Sequence, residues 1–219
     1  MKKLIINIGI LLVSFTSINS VNSQSFLNGD FEKTTATIGT DLINLTNADF
    51  NSKMESTFAY GSYGDMDIIN TATYNGLPQN GSWFVALTGG GTDAISMELS
   101  SKLISGKTYT ISFWDRGSSN YQPQPFQLGI SNDKNNFGTA IATAETPIVG
   151  VWTKRTLSFI APMDGIYITV QMTGINNLQD WAHIDNFAFE NTSNSITTGK
   201  IEGSPFCACS SVEVPFQSR

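Results

Sequence analysis

Residues 99–116, LSSKLISGKTYTISFWDR, decide the fold. A short apolar segment ends at Ile104, Ser105 and Gly106 punctuate it, and from Lys107 onward the residues alternate. Tyr109, Ile111 and Phe113 point one way, while Thr108, Thr110, Ser112 and Trp114 point the other. A period of two is that of a half-buried strand, because successive side chains leave opposite faces of the pleat. The β-branched and aromatic content agrees. Trp114 is the odd residue, a large ring on the polar face that core packing does not explain.

The same pattern recurs on both sides. Residues 83–87 (WFVAL) form a compact apolar run, and Ile95, Met97 and Leu99 alternate with Ser96, Glu98 and Ser100. Downstream, Phe126, Leu128 and Ile130 alternate with Gln127, Gly129 and Ser131. Residues 152–160 read as a further strand with Leu157 and Phe159 inward. Ile166, Ile168, Val170 and Met172 then alternate with Tyr167, Thr169 and Gln171, and WAHIDNFAFE at 181–190 is the last strand. Upstream, 26–32 (FLNGDFE) reads as a first strand interrupted by an Asn-Gly turn, and 34–51 as a long polar loop with a short strand around 42–45. Residues 60–80 read as an aromatic and acidic loop region, either surface turns or a ligand or metal loop with Asp65 and Asp67 as spare metal candidates. No stretch beyond the leader shows sustained helical periodicity. Eight to ten short strands separated by turn signals predict an all-β, two-sheet antiparallel sandwich.

The first 23 residues read as a secretory leader: Lys2 and Lys3, an apolar run over 4–15, then Val21-Asn22-Ser23 as a small-residue cleavage site before Gln24. That run is too short to span a bilayer. Charged side chains make up 14% of the chain, against about 25% in ordinary domains, so solubility rests on Ser, Thr, Asn and Gly. The formal charge of −6, with no basic patch, argues against a nucleic-acid partner. The glycines at 89–91 lack the spacing and following helix of a phosphate loop. Residues 191–199 read as a linker. Cys207 and Cys209 have no histidine beside them and stand too close for an unstrained disulfide.

LNGDFE near the start, LSSKLISGKTYTISFW in the middle, VGVWTKRTLSFIAP after it and WAHIDNFAFE at the end together resemble the jelly-roll carbohydrate-binding modules of the galactose-binding-like type. The resemblance spans Ser25–Glu190, within a domain expected over 24–190. Residues 200–219, with Val212, Val214 and Phe216 alternating, resemble the opening of a bacterial immunoglobulin-like repeat, as if further domains followed. The first resemblance implies a secreted jelly roll that binds polysaccharide without catalysis. It also implies a structural calcium, held by Glu32 of the opening FE and Asp185 of the closing ID.

A sugar ring stacks its C–H face on an aromatic plate and gives its hydroxyls to amide or charged partners. Trp114, Arg116, Tyr121, Gln127, Tyr167 and Gln171 are the candidates, on condition that their strands are neighbours. The alternatives are that a loop covers Trp114, and that the domain is an adhesive or spacer sandwich with no sugar site. Catalytic groups are few. His183 is the only histidine, no serine or cysteine sits in a nucleophile context, and a lyase-like set of Arg116, Gln127, His183 and Tyr167 would need three strands to converge. The expectation is a binding domain, not an enzyme.

Overall fold

The computed structural model describes residues 24–190, except 63, 75, 91 and 174–180. The leader over 1–23, the linker over 191–199, and 200–219 with Cys207 and Cys209 lie outside the described residues.

Among the described residues, eleven strands form two antiparallel sheets packed face to face. One contains β1 (Leu42–Leu45), β3 (Met66–Ile69), β4 (Phe84–Thr88), β11 (Trp181–Phe189), β6 (Thr108–Gly117) and β9 (Thr153–Ile160), in that spatial order. The other contains β2 (Thr57–Ala59), β5 (Ala94–Leu103), β10 (Gly165–Met172), β7 (Phe126–Ser131) and β8 (Thr139–Thr143). The expected jelly-roll sandwich is present. The deciding stretch joins its layers: β5 ends at Leu103, a tight turn with Gly106 at φ 78° follows, and β6 starts in the opposite sheet.

Between the sheets, Ile111 and Phe113 of β6 and Phe159 of β9 join Leu128, Ile130, Ile168 and Val170 in one buried cluster, with Tyr109 and Leu157 packed at its margin. Phe113 stacks on Phe187 at 5.0 Å, and Phe26 and Phe31 meet Phe187 edge-on. Packing on this scale holds the sandwich without a cross-link, since each large side chain contributes roughly 1.5–3 kcal/mol by leaving water.

The N-terminal third departs from the expected course. Residues 26–32 make no strand: Phe26 forms an isolated bridge to Leu99, and Phe31 turns into the core at φ 56°. After the expected strand at 42–45, the polar stretch folds into helix α1 (Asn47–Lys53). Thr46 caps it by accepting from the Asp49 amide, and Phe50 is its buried anchor. Seven residues with one apolar anchor carry no periodicity to read. Within 60–80, residues 66–69 form the fully buried β3 instead of surface turns. β2 and β8 are short edge strands that the alternation did not mark.

Phe187→Ala removes the ring shared by Phe26, Phe31 and Phe113. It is expected to cost about 3–5 kcal/mol in denaturant unfolding with an unchanged m-value. A loss under about 1 kcal/mol would show that this cluster does not hold the sheets together.

Candidate functional site

β11 runs through the middle of the six-stranded sheet, between β4 and β6. Its Ala182, Ile184 and Phe187 enter the core, which turns Trp181, His183 and Asp185 to the outer face. Register sets His183 beside Arg116 of β6 and Ala86 of β4, and Asp185 beside Trp114. Asp67 of β3 lies beside Ala86, so Asp67, Ala86, His183 and Arg116 form one row across four strands. Ile69, Phe84, Ala86 and Trp181 make a second apolar cluster here, flanked by Ile43 and Trp152. Three of the four tryptophans thus share this face; Trp83 is in the main core.

Arg116 is 3% exposed and is the hub of the face. Its Nε and Nη2 donate to His183 Nδ1 at 3.3 and 3.0 Å, and Nη1 and Nη2 donate to the carbonyls of Leu77 and Gly76 at 3.4 Å. Its guanidinium lies 4.6 Å from the Trp152 ring and 5.2 Å from Phe84. Trp152 Nε1 donates to the same Leu77 carbonyl at 2.9 Å. Burial pushes the Arg116 pKa down to about 10, opposed by the nearby Asp185 charge.

The segment over 76–83 straps this face. Asp185 Oδ2 accepts from the Gln79 and Asn80 amides, and Glu32 Oε1 from those of Ser82 and Trp83. Two glycines permit it. A Cβ at Gly76 (φ 127°) would stand 2.2 Å from Arg116 Nη1, and one at Gly81 (φ 69°) would stand 2.4 Å from Glu32 Oε1. Glu32 and Asp185 therefore serve one segment, each accepting from two of its backbone amides. Asp185 Oδ1 is buried without a hydrogen bond. Burial, with a contribution from the Glu32 charge, pushes the Asp185 pKa up to about 8. No group of three or more His, Cys, Asp or Glu that could hold a metal occurs among the described residues, so an ion here would need backbone carbonyls besides these two carboxylates.

The six sugar-site candidates do not share a surface. Trp114 and Arg116 lie on the outer face of the six-stranded sheet, with Tyr121 edge-on to Trp181 at 5.4 Å. Gln127, Tyr167 and Gln171 belong to β7 and β10 of the other sheet, where Gln127 and Gln171 are direct cross-strand partners. Tyr167 there meets Phe58 edge-on, under Lys134. The condition of neighbouring strands fails because the chain changes sheets between β6 and β7. The strap also takes Arg116 out of reach of a ligand, while Trp114 and Trp152 stay half-buried and Tyr121 exposed. The lyase-like set divides in the same way, Arg116 and His183 on one sheet and Gln127 and Tyr167 on the other. Asp115 points inward, where it ion-pairs with Arg155 at 2.9 Å. Trp152 and Trp181 are not singled out by the sequence. A signal for Trp181 exists in W-A-H-I-D, whose alternate residues suit neither water nor an ordinary core.

A family model described as a carbohydrate binding domain matches residues 43–194. The chain belongs to this family. Among solved structures, the K2 cleaved adhesin domain of Lys-gingipain is similar to this carbohydrate-binding domain with a TM-score of 0.51 and 14% identity, over 74% of this chain and 96% of that one. TmCBM61 in complex with β-1,4-galactotriose follows at TM-score 0.43 and 19% identity, over 68% and 98%. The CBM22-1 xylan-binding domain from Paenibacillus barcinonensis stands at TM-score 0.42 and 12% identity, over 71% and 96%. No curated protein matches the sequence. No helix among the described residues is long and apolar enough to cross a membrane.

His183 of the carbohydrate-binding domain is neutral in the fold, its pKa pushed down to about 3 by burial and by Arg116. Arg116, Phe84 and Trp181 face it. The unfolded chain takes up its proton near pH 6.5, so stability present above that pH is lost as pH falls toward 3, at about 1.4 kcal/mol per unit. Between pH 7 and pH 5 the protein should lose about 2 kcal/mol more than His183→Gln in denaturant unfolding. Equal losses would place His183 in contact with water.

Proposed function

We propose that the domain holds carbohydrate, without catalysis, on the outer face of the six-stranded sheet, against Trp114, Trp152 and Tyr121. The observation that carries this is the gathering of three tryptophans on that face, with Trp152 stacked on a guanidinium it does not have to share with a ligand. A sugar ring takes its binding energy from such a plate through its C–H face. Arg116 acts through Trp152: it fixes the ring angle and ties it to the strap at Leu77. The strap supplies Gln79 and Asn80 at the rim, amide side chains suited to hydroxyls. The leader over 1–23 supports secretion, and the 191–219 segment supports attachment to further domains.

Calcium belongs to the same reading as a structural ion. Glu32 and Asp185 would hold it, with the buried, unpaired Asp185 Oδ1 as the supporting observation. It would neutralise two carboxylates that otherwise repel one another beneath the strap.

Affinity electrophoresis against a panel of polysaccharides tests the face. Trp152→Ala and Trp114→Ala should each weaken binding at least about tenfold, roughly 1.4 kcal/mol. Gln127→Ala and Gln171→Ala, on the other sheet, should leave binding unchanged. The reverse pattern would move the site to the five-stranded sheet, and binding to no polysaccharide would favour an adhesive or spacer role. For the ion, chelation should lower the Tm by about 5–10 °C, recovered by added calcium and absent in Glu32→Gln. A melting curve indifferent to chelator would remove the metal.

A further inference from the structure

Beside the tryptophan face stands a patch that sugar hydroxyls do not explain. Leu77, Ile148, Val149 and Val151 are 63%, 52%, 47% and 53% exposed. They converge at the end of β6. Val149 bridges Gly117 in parallel, the Gly117 amide donates to the Ile148 carbonyl at 3.0 Å, and the Gly150 amide donates back to the Gly117 carbonyl at 2.9 Å. The Leu77 carbonyl receives the Trp152 indole and Arg116, so the patch begins where the aromatic plate ends. Three loops build the surroundings: 76–82, 118–125 and 146–152. None contains Asp, Glu, Lys, Arg or His.

Aliphatic side chains offer a hydroxyl no partner, and leaving them in water is unfavourable unless something covers them. Uncharged loops cannot pair with a uronate carboxylate or a sulfate, and the net charge of −6 repels both. The fitting ligand is neutral, carries small apolar groups, and sets them a short distance from a stacked sugar ring. We infer that the site selects a neutral polysaccharide bearing O-acetyl esters, with the sugar on Trp152 and the ester methyls against Leu77, Ile148, Val149 and Val151. This rests on the sugar lying on the tryptophan face, as proposed above.

The test is calorimetry of the full chain with acetylated glucomannan and with the same polymer after mild alkaline deacetylation. The native chain should bind the acetylated polymer at least about fivefold more tightly, the scale expected for covering a few methyl groups. Val149→Ser combined with Val151→Ser changes exposed side chains only. It should erase that preference and retain the affinity for the deacetylated polymer. Equal affinity of the native chain for both polymers, lost in Trp152→Ala, would overturn the ester selectivity and leave the sugar face standing. Binding to both that is untouched by Trp152→Ala would overturn the sugar face as well. A native dimer that the double serine variant converts to monomer would assign the patch to a second copy and overturn the inference.

Discussion

A buried guanidinium on a neutral imidazole is the contact from which the outer face of this sandwich is built. Arg116 cannot leave its charge unsolvated. It finds one acceptor in His183 on the neighbouring strand and two in the backbone of the strap, and it spends its flat surface on Trp152 and Phe84. Each partner is thereby fixed relative to the others. Because Nδ1 of His183 accepts, its proton sits on Nε2, and the ring stays uncharged in a neighbourhood where a second cation would be repelled. The carboxylates of Asp185 and Glu32 finish the work at the other end of the strap by collecting four backbone amides.

One sheet consequently has two packed faces. Its inner side is the aromatic and aliphatic core common to any sandwich. Its outer side is half covered, polar charges sealed beneath 76–83 and indoles left at the margin. In the proposed reading sealing serves binding, because an aromatic plate presents a defined surface only if its angle is fixed before the ligand arrives. Among the described residues, the five-stranded sheet carries no comparable arrangement. Its outer Gln127 and Gln171 pair across strands, and Tyr167 lies against Phe58.

The sandwich was legible because period-two alternation survives wherever one face of a strand is greasy, and β5, β6, β7, β10 and β11 all show it. Residues 66–69 defeated that reading because MDII is buried on both sides, with Asp67 sealed beside Trp181 and accepting from the Asn44 amide instead of facing water. Helix α1 was too short to register. The candidate site was half legible. Trp114 stands out as misplaced, and its strand lies on the face proposed to hold sugar. Sheet membership could not be read from alternation, since the pattern tells inside from outside and not one sheet from its partner. Alternation alone therefore groups Gln127, Tyr167 and Gln171 with a tryptophan from which the whole core separates them.

The account turns on which face touches sugar. Four indole N–H resonances in a two-dimensional NMR spectrum report on it directly. On titration with a bound polysaccharide, the Trp152 and Trp114 signals should shift while buried Trp83 stays still. Unmoved indoles, with shifts confined to the side-chain amides of Gln127 and Gln171, would contradict it.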